Sequence, residues 1–322
     1  MTENKKQQDN KNEISFSVVY SEFKKKLMDA EIKDKDEADW LIATQLNVQK
    51  LKIKFIKNIS FKEYKDLQKV LKKRLKGEPI SKIFGYTEFY GLKILMNKNV
   101  LSPRQETEIL AEQTIKTIER AIKTTEQIIK TQAKKTQAKQ EIKTTKHQVI
   151  KTTGENNFNV LDLCTGSGAI AISIKKNTSA NVVASDISRK ALKIAKINAE
   201  NNSVKIEFVK SNLFQNLKGK RFDIIVSNPP YIKSEDIKDL QTEVKNYDPK
   251  LALDGGNDGL DFYKKIIDEA PKYLNANGKI LFEIGYNQSE IIQKLLTKNF
   301  KNINIFKDFN NIDRVVMAQL KF

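Results

Sequence analysis

The chain has 322 residues, 39% of them hydrophobic, and a formal net charge of +18; at ~150 residues per domain this allows one large core and a smaller companion. No run approaches the ~18 consecutive apolar residues of a membrane helix, and the polar start MTENKKQQDNKNE lacks the apolar centre of a signal peptide, so a globular cytoplasmic protein is expected. One cysteine, Cys164, and one histidine, His147, exclude a disulfide framework and a His/Cys metal cluster, and argue against serine-protease-like or metal-dependent chemistry.

The positive charge suits a polyanionic partner. Lys, Asn and Ile are abundant throughout, however, as a bias in the coding DNA would also produce, so nucleic-acid contact is allowed but not required. Residues 1–12 read as a disordered tail. From 13 to 80 the apolar residues of FSVVYSEFKKKLMDA, EADWLIATQL and FKEYKDLQKVLKKRL recur at helical spacing, which predicts a small helical domain. The period changes over 81–113, where β-branched and aromatic residues are punctuated by Gly85 and Gly91; a hairpin linker is expected there. Residues 114–157 are rich in Lys, Thr and Gln and read as a helical or flexible insertion in which His147 is a surface residue.

From 158 to 322 the pattern alternates. FNVLDLC, ANVVASD, KIEFVKS and FDIIVSN are strands with helices between them, and GKILFEIG, NINIFKD and RVVMAQLKF supply further strands. Repeated βα units of this length predict an α/β fold, a doubly wound and mostly parallel sheet, with ligands at the carboxyl ends of its strands. Six of the twelve glycines, Gly166, Gly168, Gly255, Gly256, Gly259 and Gly285, fall in or near loops that follow predicted strands, where backbone freedom serves a site.

The first such end reads LDLCTGSGAIA, a G-x-G-x-x-A pattern through Gly166, Gly168 and Ala171. Asp186 closes the next strand, where a carboxylate accepts hydrogen bonds from ribose hydroxyls. The pair suits NAD as well as S-adenosylmethionine; the absence of a recognisable hydride-transfer arrangement favours the latter. Asp162, just before the loop, is placed to meet an amino-acid moiety directly or through water, while Cys164 reads as a small packing residue.

The stretch VSNPPYIK stops an apolar strand with two prolines that fix φ and lack an N–H. The side-chain oxygen of Asn228 and the carbonyl of Pro229 are two acceptors held toward one spot, which suits an –NH₂ group, and Tyr231 can cover a flat substrate group. No strong base is needed when a sulfonium delivers its methyl in line, so catalysis would rest on positioning and electrostatics.

At Asn228, Pro229, Pro230 and Tyr231 the chain resembles the class I methyltransferases of amino groups, which act on adenine, cytosine or glutamine amide nitrogen. The segments GEPISKIFGYTEFYGL, VLSPRQETEIL, NYDPKLALDGGNDGLDFYKKI, FEIGYNQ and IDRVV are similar to those of the protein-glutamine methyltransferases of peptide chain release factors. The resemblance implies S-adenosylmethionine as donor and, as substrate, the glutamine amide in the Gly-Gly-Gln loop of class-1 release factors. It puts the cofactor against Cys164, Thr165, Gly166, Ser167, Gly168, Asp186 and Asn228, with Leu213 at the adenine. It puts the glutamine against Asn228 to Tyr231, and gives the helical domain a part in gripping the protein substrate. Cys164 stands where glycine is common, a small-for-small change, and Asn212 where aspartate is usual, which weakens a hydrogen bond to the adenine amino group. Alternative readings are a glutamine methyltransferase of a ribosomal protein, a DNA adenine methyltransferase, and a non-catalytic ribosome- or RNA-binding protein of methyltransferase fold.

Overall fold

The structure, a computed structural model, describes residues 13–32, 36–135 and 158–321. The expected N-terminal tail and most of the Lys/Thr-rich segment, with His147, lie outside the described residues. The chain forms two compact units, one from residues up to Gly85 together with Gln241–Tyr247, the other from Tyr86–Leu240 and Asp248 onward.

The first unit contains strands β1 (Glu13–Ser15) and β2 (Asn58–Ser60), paired antiparallel, and helices α1 (Phe16–Asp29), α2 (Glu37–Leu46), α3 (Phe61–Leu75) and α4 (Ile80–Phe84). Phe16, Val19, Phe23 and Leu27 repeat on one face of α1 and pack with Leu41 and Ile42 of α2 and Leu67, Val70 and Leu71 of α3. Truncating the fully buried Phe23 to alanine would cost about 3–5 kcal/mol. Helix α3 starts at a capping box: Glu63 N–H donates to Ser60 Oγ at 3.2 Å, and Ser60 N–H to the Glu63 carboxylate at 2.8 Å. Its last turn buries Arg74 against Glu37 of α2 and Glu243 of α8 (Thr242–Tyr247). Residues 241–247, which the sequence assigned to the 158–322 domain, therefore group with the helical unit, where Glu243 is the second carboxylate on the buried Arg74 guanidinium.

The second unit opens with a hairpin, β3 (Tyr86–Phe89) and β4 (Leu92–Leu95), turning through Tyr90 at φ 51° and Gly91 at φ 71°. Two consecutive left-handed residues match the twist of a two-residue turn. The hairpin ends well before residue 113; helix α5 (Thr107–Lys135) begins inside the expected linker, because Leu110, Ala111, Ile115 and Ile118 already recur at helical spacing and are buried.

Strands β5 (Asn159–Leu163), β6 (Asn181–Asp186), β7 (Glu207–Lys210), β8 (Phe222–Ser227), β9 (Leu274–Glu283), β10 (Phe300–Lys307) and β11 (Asp313–Leu320) form one sheet in the order β10-β11-β9-β8-β5-β6-β7. Pairings from β7 to β9 are parallel, and β11 joins β9 and β10 antiparallel. Side chains alternate across the pleat, so Val160, Ile224 and Val226 face a core shared with α5, α6 (Ala169–Asn177) and α7 (Arg189–Asn201). Leu161, Leu163 and Ile225 face the core covered by α9 (Asp261–Glu269) and α10 (Ser289–Leu296). The chain runs outward from β5 to β6 and β7, then returns to place β8 on the other side of β5. That reversal makes the gap beyond β5 and β8 the place for a ligand.

Candidate active site

Both motifs stand on the strands that flank the reversal. Leu163 and Ser227 are register partners at the ends of β5 and β8, and Ser227 Oγ–H donates to the Leu163 carbonyl at 2.7 Å. The glycine turn and the Asn-Pro-Pro-Tyr turn therefore leave the sheet side by side.

The glycine turn is wired by two carboxylates. Asp162, fully buried, accepts from Thr165 Oγ1 at 2.6 Å and from Ala171 N–H, one of the unpaired donors of the first turn of α6, at 3.2 Å, both on Oδ2. Its Oδ1 is buried without a partner among the described residues. Burial pushes the Asp162 carboxyl up to about 7, against the pull of the Thr165 and Ala171 hydrogen bonds. Asp186 accepts from Gly166 N–H at 2.9 Å on Oδ2 and from Ser188 N–H at 2.8 Å on Oδ1; burial raises it as well. Each of its oxygens keeps a second lone pair for an incoming hydroxyl.

Cys164 has φ 61° and Leu213 φ 48°, left-handed conformations that strain a side chain with a Cβ. Both line a cavity beside Asp186, larger than a second one next to it, so the strain sits on its wall. The small-for-small view of Cys164 needs this amendment, since glycine would hold the same φ without strain. Burial pushes its thiol up, and no reactive role follows.

The larger cavity is lined by Cys164, Gly166, Asp186, Asn212, Leu213, Asn228 and Pro230 among the sequence-derived residues. Thr165, Ser167 and Gly168 are not on its lining. Thr165 holds Asp162, the Ser167 carbonyl accepts from Asn198 Nδ2 at 2.9 Å, and Gly168 faces Ala195 of α7, where an added Cβ would come within 3.0 Å. Asn198 also grips both backbone groups of Leu95, accepting at 2.7 Å and donating at 3.1 Å, and so joins hairpin and glycine turn.

A second, smaller cavity is lined by Arg104, Thr107, Asn228, Tyr231 and Glu283, with Leu101, Ile232, Ala252 and Leu253. Asn228, Leu101 and Ala252 line both cavities. Pro229 is buried and lines neither. The turn is held from outside by close backbone approach: a Cβ on Gly255 would meet Tyr231 Cα at 2.8 Å, and one on Gly259 would meet the Tyr231 carbonyl at 2.5 Å. Gln288 Nε2 donates to that carbonyl at 3.1 Å. Burial beside Glu283 pushes the Tyr231 hydroxyl up to about 12.

Thr107, Arg104 and Glu283 escaped the sequence reading as site residues. Each stands in a segment that carried the family resemblance, and Glu283 also shows itself as a carboxylate within the apolar run KILFEI. Its burial in β9 raises its pKa, opposed by Thr107, Arg104 and Asn228.

A glycine turn and an Asn-Pro-Pro-Tyr turn on neighbouring strands, at the reversal of this sheet order, define an α/β methyltransferase. The family profile described as Methyltransferase small domain matches residues 138–245. The chain is 37% identical over 288 residues to the release factor glutamine methyltransferase of Thermodesulfovibrio yellowstonii, covering 88% of this chain and 91% of that protein. It is 34% identical to that of Geobacter sulfurreducens over 88% of this chain and 89% of the other. It also matches half of the bifunctional methyltransferase of Rickettsia typhi, with 37% identity over 85% of this chain and 50% of that one. The chain belongs to the release factor glutamine methyltransferase family. No helix among the described residues is long and apolar enough to cross a membrane.

Proposed function

We propose that the protein methylates the side-chain amide nitrogen of the glutamine in the Gly-Gly-Gln loop of class-1 release factors, in the cytoplasm, with S-adenosylmethionine as donor. The carrying observation is that Asn228 lines both cavities, the larger beside Asp186 and the smaller beside Tyr231 and Glu283. Such a residue touches donor and acceptor at once.

The larger cavity fits the donor. Asp186 has lone pairs for the ribose hydroxyls, Gly166 approaches without a side chain, and Leu213 offers an apolar wall to the adenine, with Asn212 beside it. The buried Oδ1 of Asp162 suits an ammonium group reached through the turn. When bound, S-adenosylmethionine supplies an electrophilic methyl on a positively charged sulfur.

The chain's own residues do the rest. Asn228 Oδ1 accepts an N–H of the substrate amide, the two prolines hold that acceptor still, and Tyr231 covers the flat carboxamide. Asp186 and the glycine turn keep the donor's place, and the exclusion of water by Leu101, Ala252 and Leu253 strengthens each polar contact. The helical unit contributes to holding the protein substrate.

The test offers labelled S-adenosylmethionine with an unmethylated release factor, its loop Gln→Ala variant, ribosomal proteins and adenine-containing DNA. Label that requires the loop glutamine is the expected result. Label on DNA or a ribosomal protein instead would overturn the substrate, and no label anywhere would overturn the activity.

A further inference from the structure

We propose that Glu283 is a positioning residue of the acceptor cavity, its carboxylate holding the amino end of the Asn228 amide so that the oxygen end faces the substrate nitrogen. The inference rests on the function proposed above and assigns a residue that the motif does not contain.

An asparagine amide has one end that only donates and one that only accepts, and a half-turn exchanges them. Asn228 can serve an incoming N–H only when Oδ1 faces it, so something must hold Nδ2 on the opposite side. The neighbours there are acceptors. Nδ2 lies 3.5 Å from Thr107 Oγ1, and the Glu283 carboxyl lines the same small cavity as Asn228 and Thr107.

The surroundings of Glu283 fit this role better than a packing role. Its backbone is anchored, because Tyr263 Oη–H donates to the Glu283 carbonyl at 2.7 Å. Its carboxylate is loosely engaged: Tyr231 Oη is 3.5 Å from Oε1, and Oε2 is buried with no hydrogen-bond partner among the described residues. Burying a carboxylate oxygen without a donor is unfavourable, and a stability-driven sequence would place an apolar side chain there. Contacts near 3.5 Å around a reacting group tighten when substrate arrives. Seating the amide on Asn228 Oδ1 would draw Nδ2 onto the carboxylate, which polarises the Asn228 oxygen further.

The test compares Glu283→Leu, which fills the volume without an acceptor, with Glu283→Gln, whose oxygen still accepts from Nδ2. Label transfer to the release factor, cofactor affinity and thermal melts are measured for each. The leucine variant is expected to lose about 30-fold in kcat, with cofactor Kd and release-factor KM within about threefold of wild type. The glutamine variant is expected to recover to within about fivefold of wild type. An unchanged kcat in the leucine variant, a glutamine variant as slow as the leucine one, or cofactor affinity that falls in step with kcat overturns the role. Should the leucine variant not fold, Glu283→Met, which also lacks an acceptor and adapts more readily to the space, takes its place, and a kcat it leaves unchanged overturns the assignment. A wild-type protein that leaves the release factor unlabelled overturns the functional reading and this role with it, whereas the variants overturn the role alone.

Discussion

The two cavities that meet at Asn228 differ in how finished they are. On the side of Asp186 the wall is hydrogen-bonded at 2.6 to 3.2 Å: Thr165 and Ala171 hold Asp162, while Gly166 and Ser188 hold Asp186. On the side of Tyr231 the polar groups stand 3.5 Å apart and a buried carboxylate oxygen has no donor among the described residues. A small, invariant ligand is best met by a wall that exists beforehand, because every contact then forms without reorganisation. On the function proposed above, a loop of another protein would bring the donors and acceptors that complete the network.

The largest effect probes what the finished wall costs. Asp162 has a folded-state pKa of about 7, above its ordinary 3.8, so the fold prefers the protonated form. Stability is then full below about pH 4 and falls as the pH rises toward 7, by up to about 4 kcal/mol. Asp186 and Glu283, also raised, push in the same direction. Thermal melts across this range should show a wild type that weakens relative to Asp162→Asn; parallel curves would refute the burden. Next, Asn228→Ala should lower methyl transfer on the order of 100-fold, about 3 kcal/mol, while cofactor affinity measured by calorimetry falls far less, by about threefold, because Asn228 is one contact among many in the donor cavity. Equal losses of both would erase the division between the cavities.

Asp186→Ala should weaken cofactor binding by about 2 kcal/mol, since it removes the acceptor proposed for the ribose and also releases Gly166 N–H. Unchanged affinity would move the ribose elsewhere. The smallest effect is Cys164→Gly, which relieves a left-handed side chain and should raise stability by about 0.5 to 1 kcal/mol, read as a higher denaturant midpoint. A lower midpoint would mean that the packing of the thiol outweighs the strain.

Much of the finished wall was legible in the sequence because it is local. Strand, turn and helix follow one another in LDLCTGSGAIA, and Asp186 closes the next apolar run. What the letters do not carry is direction: Gly168 turns toward Ala195 rather than toward the cavity, and the positive φ of Cys164 is a property of the folded turn. The unfinished wall is harder because it is assembled from afar. Thr107 begins α5, Asn228 follows β8 and Glu283 ends β9, three places joined only by the order of strands in the sheet. The grouping of residues 241–247 with the helical unit escaped for the same reason, since nothing near Glu243 in sequence announces Arg74.

That pairing has a temporal consequence. Arg74 and Glu243 are separated by 169 residues, and a ribosome adding 5–20 residues per second leaves an interval on the order of ten seconds to half a minute between them. During that interval α1 to α3 can already pack, with Glu37 as the lone counter-ion of a guanidinium built to have two. The helical unit, begun before the sheet, is thus completed only after strands β5 to β8 have been made.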